Sequence, residues 1–140
     1  MQTFEDAIRL AVEVHQGQKD KAGSPYILHP LRAMLSMATE TEMIVAVLHD
    51  VVEDGGITID DLRKAGFSEE ITDAIDCLTR RDGEEYDELI DRVKSNPLAV
   101  KVKIADLRDN SNLGRIAEPK ENDYKRLEKY RQALAELVKV

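Results

Sequence analysis

The sequence predicts an all-α protein, a single orthogonal helical bundle of seven or eight helices spanning residues 1–140 as one domain. Three observations carry this. Apolar residues recur at spacings of three and four along most of the chain. No stretch sustains period-two alternation; Val100-Val102-Ile104 alternates only briefly, between helix-compatible flanks. Ser, Thr, Asn, Gly and Pro fall where helices should start and stop. A chain of 140 residues can bury one core. With two Phe, four Tyr and no Trp, that core must be aliphatic.

The elements follow in order. Phe4, Ile8, Ala11 and Val12 mark a first helix over 3–16, closed by Gly17. Gln18–Ser24 is a polar loop. Pro25 opens a second helix running to about Ala38, kinked or restarted at Pro30. Thr41 caps a third, whose interior Met43–Val52 is apolar on nearly all sides, as expected of a central helix. Gly55-Gly56 ends it. Thr58 and Asp61 form a capping box for a short helix ending near Gly66. Ser68 caps the next, which carries Ile71, Ala74, Ile75 and Leu78, with Cys77 as a small buried apolar group. After the turn Asp82-Gly83 comes an acidic amphipathic helix over 84–94, and Asn96-Pro97 starts another reaching Asn110. Beyond the loop at Pro119, Tyr124, Leu127, Tyr130, Leu134, Leu137 and Val138 line one face of a last helix.

Composition narrows the function. Twenty basic against 28 acidic residues give a net charge of −8, which repels nucleic-acid backbones. A small phosphorylated substrate stays possible, because a metal ion and a few lysines reverse the potential locally. One cysteine forms no internal disulfide. No apolar stretch approaches the length of a membrane span, and the N-terminus is acidic and amphipathic rather than signal-like. The expected setting is cytoplasmic, with no membrane and no nucleic-acid partner; the sequence leaves the oligomeric state open.

The chemistry concentrates at His49-Asp50, polar residues at the end of an apolar run, followed by Glu53-Asp54. Polar groups there are costly unless paired or bound to a metal. On a continuous helix, His49 shares a face with Glu53, and Asp50 with Asp54. Taken alone, His49-Asp50 reads equally well as a helix-end histidine beside a loop-capping aspartate. His29, after Tyr26-Ile27-Leu28, and Asp106, after Val102-Lys103-Ile104-Ala105, are two further candidates. A core histidine and a salt-bridged aspartate are the plain alternatives for them. Four such coincidences together favour one divalent site.

The stretches His15-Gln16-Gly17-Gln18, Gly23-Ser24-Pro25-Tyr26-Ile27-Leu28-His29-Pro30, Leu48-His49-Asp50-Val51-Val52-Glu53-Asp54 and Lys103-Ile104-Ala105-Asp106, with Asn110 one turn later, make the pattern specific. It resembles the HD-domain phosphohydrolases, and more narrowly the hydrolase domain of the Rel/SpoT alarmone synthetase–hydrolases and their small stand-alone relatives. The resemblance implies that His29, His49, Asp50 and Asp106 ligate the metal. It implies that Glu53 and Asp54 activate or position water, that Asn110 contacts the nucleoside, and that Lys21 meets a phosphate. The implied metal is manganese, and the implied reaction removes pyrophosphate from the 3′ position of (p)ppGpp. Two imidazoles and two carboxylates suit Mn²⁺, Fe²⁺ or Zn²⁺.

Two departures stand out. Asp20-Lys21 replaces the Arg-Lys of the alarmone hydrolases, and an aspartate does not stack on guanine as a guanidinium does. Leu107-Arg108-Asp109-Asn110 replaces the usual Arg-Leu-His-Asn. The alternatives are therefore an HD phosphohydrolase for another nucleotide, such as a nucleoside monophosphate or a dinucleotide cofactor phosphate, and a nucleotide-binding module without catalysis.

Overall fold

A computed structural model describes residues 2–140, all helix and loop apart from one isolated antiparallel bridge between Lys19 and Pro25. The nine α-helices among the described residues are α1 (Phe4–His15), α2 (Leu28–Leu35), α3 (Glu40–Leu48), α4 (Val51–Gly55), α5 (Ile59–Ala65), α6 (Glu69–Leu78), α7 (Tyr86–Val93), α8 (Pro97–Asn110) and α9 (Glu121–Leu137). A short 3-10 helix, Leu113–Arg115, joins the last two. The predicted all-α bundle is observed. No helix among the described residues is long and apolar enough to cross a membrane.

Helix α3 is the hub. Val45, Ala46, Val47 and Leu48 are fully buried, and α1, α2, α6 and α8 all pack against it. Its apolar surface on every side leaves no solvent face, so neighbours must surround it. The core is aliphatic apart from Phe67.

Capping explains most helix starts. Thr3 with Asp6 and Thr58 with Asp61 form capping boxes, while Ser68 and Asn96 each accept from the backbone N–H three residues on. The third helix is capped by Thr39 rather than Thr41. The Glu42 carboxylate closes that box, accepting from the N–H groups of Ala38 and Thr39, and Lys101 pairs with it.

Two further boundaries differ from the sequence expectation. The second helix starts at Leu28, not Pro25, because the preceding loop folds back on itself through Tyr26 N–H to Gln18 O and Asp20 N–H to Ser24 O. The expected helix through His49-Asp50 is broken there into α3 and α4. His49 N–H bonds back to Ala46 O, and Asp50, at φ −107° and ψ 0°, is the N-cap from which α4 starts. On α9, Ala133 and Leu137 are buried and Leu127, Tyr130 and Leu134 half-buried. Tyr124 and Val138 are exposed, because only one side of α9 packs on α7 and α8. Cys77 is half-buried.

One close approach places the acidic end of α4. A side chain at Gly55 would lie 2.4 Å from Val14 Cγ1 of α1, so glycine lets the two helices meet.

Candidate metal centre

His29 on α2, His49 and Asp50 at the α3–α4 break, and Asp106 on α8 each direct one ligating atom to a common point. Those four atoms all lie within 4.8 Å of one another. His29, His49 and Asp106 are at most 5% exposed. The break between α3 and α4 allows this. A continuous helix would send successive side chains about 100° apart, whereas here His49 Nε2 and Asp50 Oδ2 are 3.1 Å apart.

Both imidazoles are fixed from behind. His49 Nδ1 faces Ala46 O, and His29 Nδ1 is 2.6 Å from Asp109 Oδ2. Each therefore turns Nε2 inward, to 3.2 Å and 2.8 Å respectively from Asp106 Oδ1. An outward Nδ1–H on a carbonyl or carboxylate sets the tautomer a metal-ligating histidine needs. Asp50 accepts a hydrogen bond from the Tyr26 hydroxyl, and Asp106 accepts from Lys103 Nζ at 2.7 Å and Asn110 Nδ2 at 3.1 Å.

The electrostatics suit a cation. Burial disfavours charge on His29, but its hydrogen bonds to the Asp106 and Asp109 carboxylates outweigh it and raise its pKa. Burial likewise opposes the charge of Asp50, yet the neighbouring His49 carries the carboxyl down to about 2. Asp106, fully buried, is held well below the carboxylate range by Lys103 and both imidazoles. The carboxylates are thus ionised in a site where an unpaired anion is costly. Two inward imidazole nitrogens and two ionised carboxylates fit one divalent cation.

Glu53 and Asp54 sit on α4 beside this cluster. Glu53 accepts the Arg80 backbone N–H at 2.7 Å. Burial raises both their pKa values, and the charge of Asp50 adds to the shift. His15, buried at the end of α1, lies 4.0 Å from Asp54 Oδ2 and packs its ring 5.0 Å from that of Tyr26.

Lys21 and Asn110 line a different feature, a cavity of about 350 Å³. Its walls include Tyr26, Leu113, Arg115 and Ile116, with Arg126 and Tyr130 from α9. Tyr26 and Asn110 both line the cavity and bond to cluster carboxylates, which ties the two together.

Sequence reasoning missed Asp109. Arg32 donates to it from Nε at 2.7 Å and Nη2 at 3.0 Å, while Arg115 Nη2 holds its backbone carbonyl at 2.9 Å. The available signal was its place one turn beyond Asp106 on α8, hence on the same helix face. It also missed Arg126 and Tyr130, whose spacing on α9 looks like ordinary packing.

No protein-family model matches the chain. Among curated proteins it is 31% identical over 116 residues to a guanosine-3′,5′-bis(diphosphate) 3′-pyrophosphohydrolase of Aquifex aeolicus, covering 74% of this chain and 16% of that protein. It is 31% identical over 127 residues to a probable GTP pyrophosphokinase of Mycobacterium leprae, covering 81% and 16%. The chain thus spans about one sixth of the length of these relatives. A solved structure described as a metazoan ortholog of SpoT that hydrolyzes ppGpp superposes with a TM-score of 0.77 at 21% identity, over 96% of this chain and 84% of that one. In sequence and in fold, the chain is a relative of the Rel/SpoT proteins, built on their HD-type hydrolase fold.

Proposed function

We propose that the 140 residues form one HD-type unit that hydrolyses a phosphate ester of a small nucleotide, releasing pyrophosphate from the 3′ position of a guanosine bis(diphosphate). The convergence of four ligating atoms within 4.8 Å supports this most strongly. The names of the relatives refer to both making and cleaving such nucleotides. A His–Asp donor set with adjacent acidic groups belongs to hydrolysis.

In this reading His29, His49, Asp50 and Asp106 hold one divalent ion, Mn²⁺ before Fe²⁺ or Zn²⁺. The ion supplies Lewis-acid chemistry towards water and phosphoryl oxygen. Glu53 takes the proton of the attacking water at its carboxylate, a role served by its raised pKa. The Arg80 N–H bond keeps that carboxylate in place. Asp54, backed by His15, orients the same water. Asp109 fixes the His29 ring, and Tyr26 fixes Asp50. The cavity takes the nucleoside between Tyr26, Tyr130 and Ile116, with Asn110 on its sugar and Lys21 on a phosphate. Nucleotide chemistry and an unpaired Cys77 suit a cytoplasmic setting.

One observation favours a second substrate class. Asp20 is engaged by its own loop, its Oδ1 accepting from Ala22 and Ser24 N–H at 2.9 Å each. It therefore offers no stacking surface for guanine, and another nucleotide is the second reading. A nucleotide panel assayed with Mn²⁺ decides. Pyrophosphate from ppGpp is expected. Phosphate from another nucleotide, with ppGpp untouched, would establish the second reading, and binding without turnover of any nucleotide would leave a non-catalytic module.

A further inference from the structure

The cavity and the metal cluster meet at a third place, apart from Tyr26 and Asn110. Among the described residues, Arg115 is the cavity residue whose side chain bonds to Asp109, the carboxylate behind His29. Arg115 ends the short 3-10 helix that follows α8, and that turn carries its guanidinium back to the C-terminal end of α8. The Asp109 carbonyl lies in the last turn of α8, where an α-helix leaves its carbonyls without an i+4 donor. Arg115 Nη2 donates to it at 2.9 Å, and its charge faces the negative end of the helix dipole.

The two arginines on Asp109 hold it unequally. Arg32 donates to the carboxylate from Nε at 2.7 Å and from Nη2 at 3.0 Å, and His29 Nδ1 is 2.6 Å from the same group. Arg115 Nη1 stands off at 3.4 Å from Oδ1, the length of a weak bond. Arg115 is thus anchored on the backbone and slack on the carboxylate. The Asp109 side chain is 12% exposed, whereas that of Arg115 is 31% exposed, at the cavity wall. The loose contact is the one a bound molecule can reach.

We propose that Arg115 is a positioning residue that couples filling of the cavity to binding of the metal ion. A nucleoside packed on the cavity wall confines the guanidinium and closes its slack contact with Asp109 Oδ1. The carboxylate then holds the His29 ring more rigidly through Nδ1. A ring already fixed with Nε2 towards the cluster gives up less freedom when the ion arrives, so the ion binds more tightly. By linkage the ion raises nucleoside affinity by the same factor. The ion is therefore held most firmly when there is a substrate to act on.

The inference rests on the cavity being the nucleoside site, and its test involves no turnover. Guanosine, inosine and adenosine are the probes. Lacking phosphate, they are neither cleaved nor able to reach the ion through a phosphoryl oxygen. Their binding to metal-free protein is followed by NMR, and Mn²⁺ affinity is measured by chelator competition with and without each. The nucleoside that binds most tightly should raise wild-type Mn²⁺ affinity about fivefold. Arg115→Gln should leave nucleoside-free Mn²⁺ affinity within about twofold of wild type and abolish the increase. Arg115→Lys keeps the charge but cannot span carbonyl and carboxylate together, so it should abolish the increase too. A residue that merely supported the fold would leave the coupling factor intact. Nucleoside binding with Mn²⁺ affinity unchanged, or an equal increase in Arg115→Gln, overturns the coupling and leaves the hydrolase reading standing. Binding of none of the three overturns the coupling together with the assignment of the cavity. Coupling in a protein that cleaves no nucleotide keeps the inference and removes the hydrolase reading.

Discussion

At the metal cluster every imidazole and carboxylate is gripped from behind, by Asp109, Ala46 O, Tyr26 or Lys103. In the cavity, Lys21 and Asn110 are exposed, and Asp20 and Arg126 bond within their own segments, Asp20 to its loop and Arg126 to Asp123. The cluster joins α2, α8 and the α3–α4 break around the central helix, so altering it disturbs the core. The cavity is walled by a loop, a 3-10 helix and the start of α9, which can change side chains without moving the bundle. The contrast separates a fixed chemistry from an adjustable specificity.

The sharpest way to break this contrast lies at Glu53. Glu53→Gln keeps an acceptor for the Arg80 N–H and removes the base. It should lower kcat roughly 10²- to 10⁴-fold with metal content unchanged, which steady-state kinetics and metal analysis would check together. The pH profile sharpens the same point. A base must be deprotonated, and burial raises the Glu53 pKa above 4.5. The kcat should therefore fall as the pH drops through a value above 4.5, and this acid limb should disappear in the glutamine variant.

A smaller effect is expected one layer out. Asp109→Asn removes the charge behind His29 and leaves Arg32 and Arg115 without their shared carboxylate. Metal affinity should drop about 10- to 100-fold, measured by competition with a chelator. An unchanged affinity would mean that the cluster does not depend on its backing. The smallest change belongs to the cavity. Lys21→Ala should raise KM by about tenfold or less, with kcat and melting temperature unaltered. A large loss of kcat there would erase the distinction between the two regions.

The same contrast governs what could be read from the sequence. α3 was legible because four consecutive buried residues, Val45 to Leu48, leave no polar face. His29, His49, Asp50 and Asp106 were legible because buried polar residues stand out against apolar runs. The break at His49-Asp50 was not, since nothing in Leu48-His49-Asp50-Val51 forbids a helix. It arises from tertiary demands on the two side chains. Asp109 and Arg126 were illegible for a different reason. Charged residues on amphipathic helices look alike until packing shows which face the site.

The central claim is that four side chains distant in sequence hold a single ion, and metal stoichiometry tests it most directly. Elemental analysis of protein incubated with Mn²⁺ and desalted should give one ion per chain in the wild type and none in His49→Ala or Asp106→Ala of unchanged helicity. A wild type that retains no ion, or an Asp106→Ala protein that retains it in full, would contradict the account.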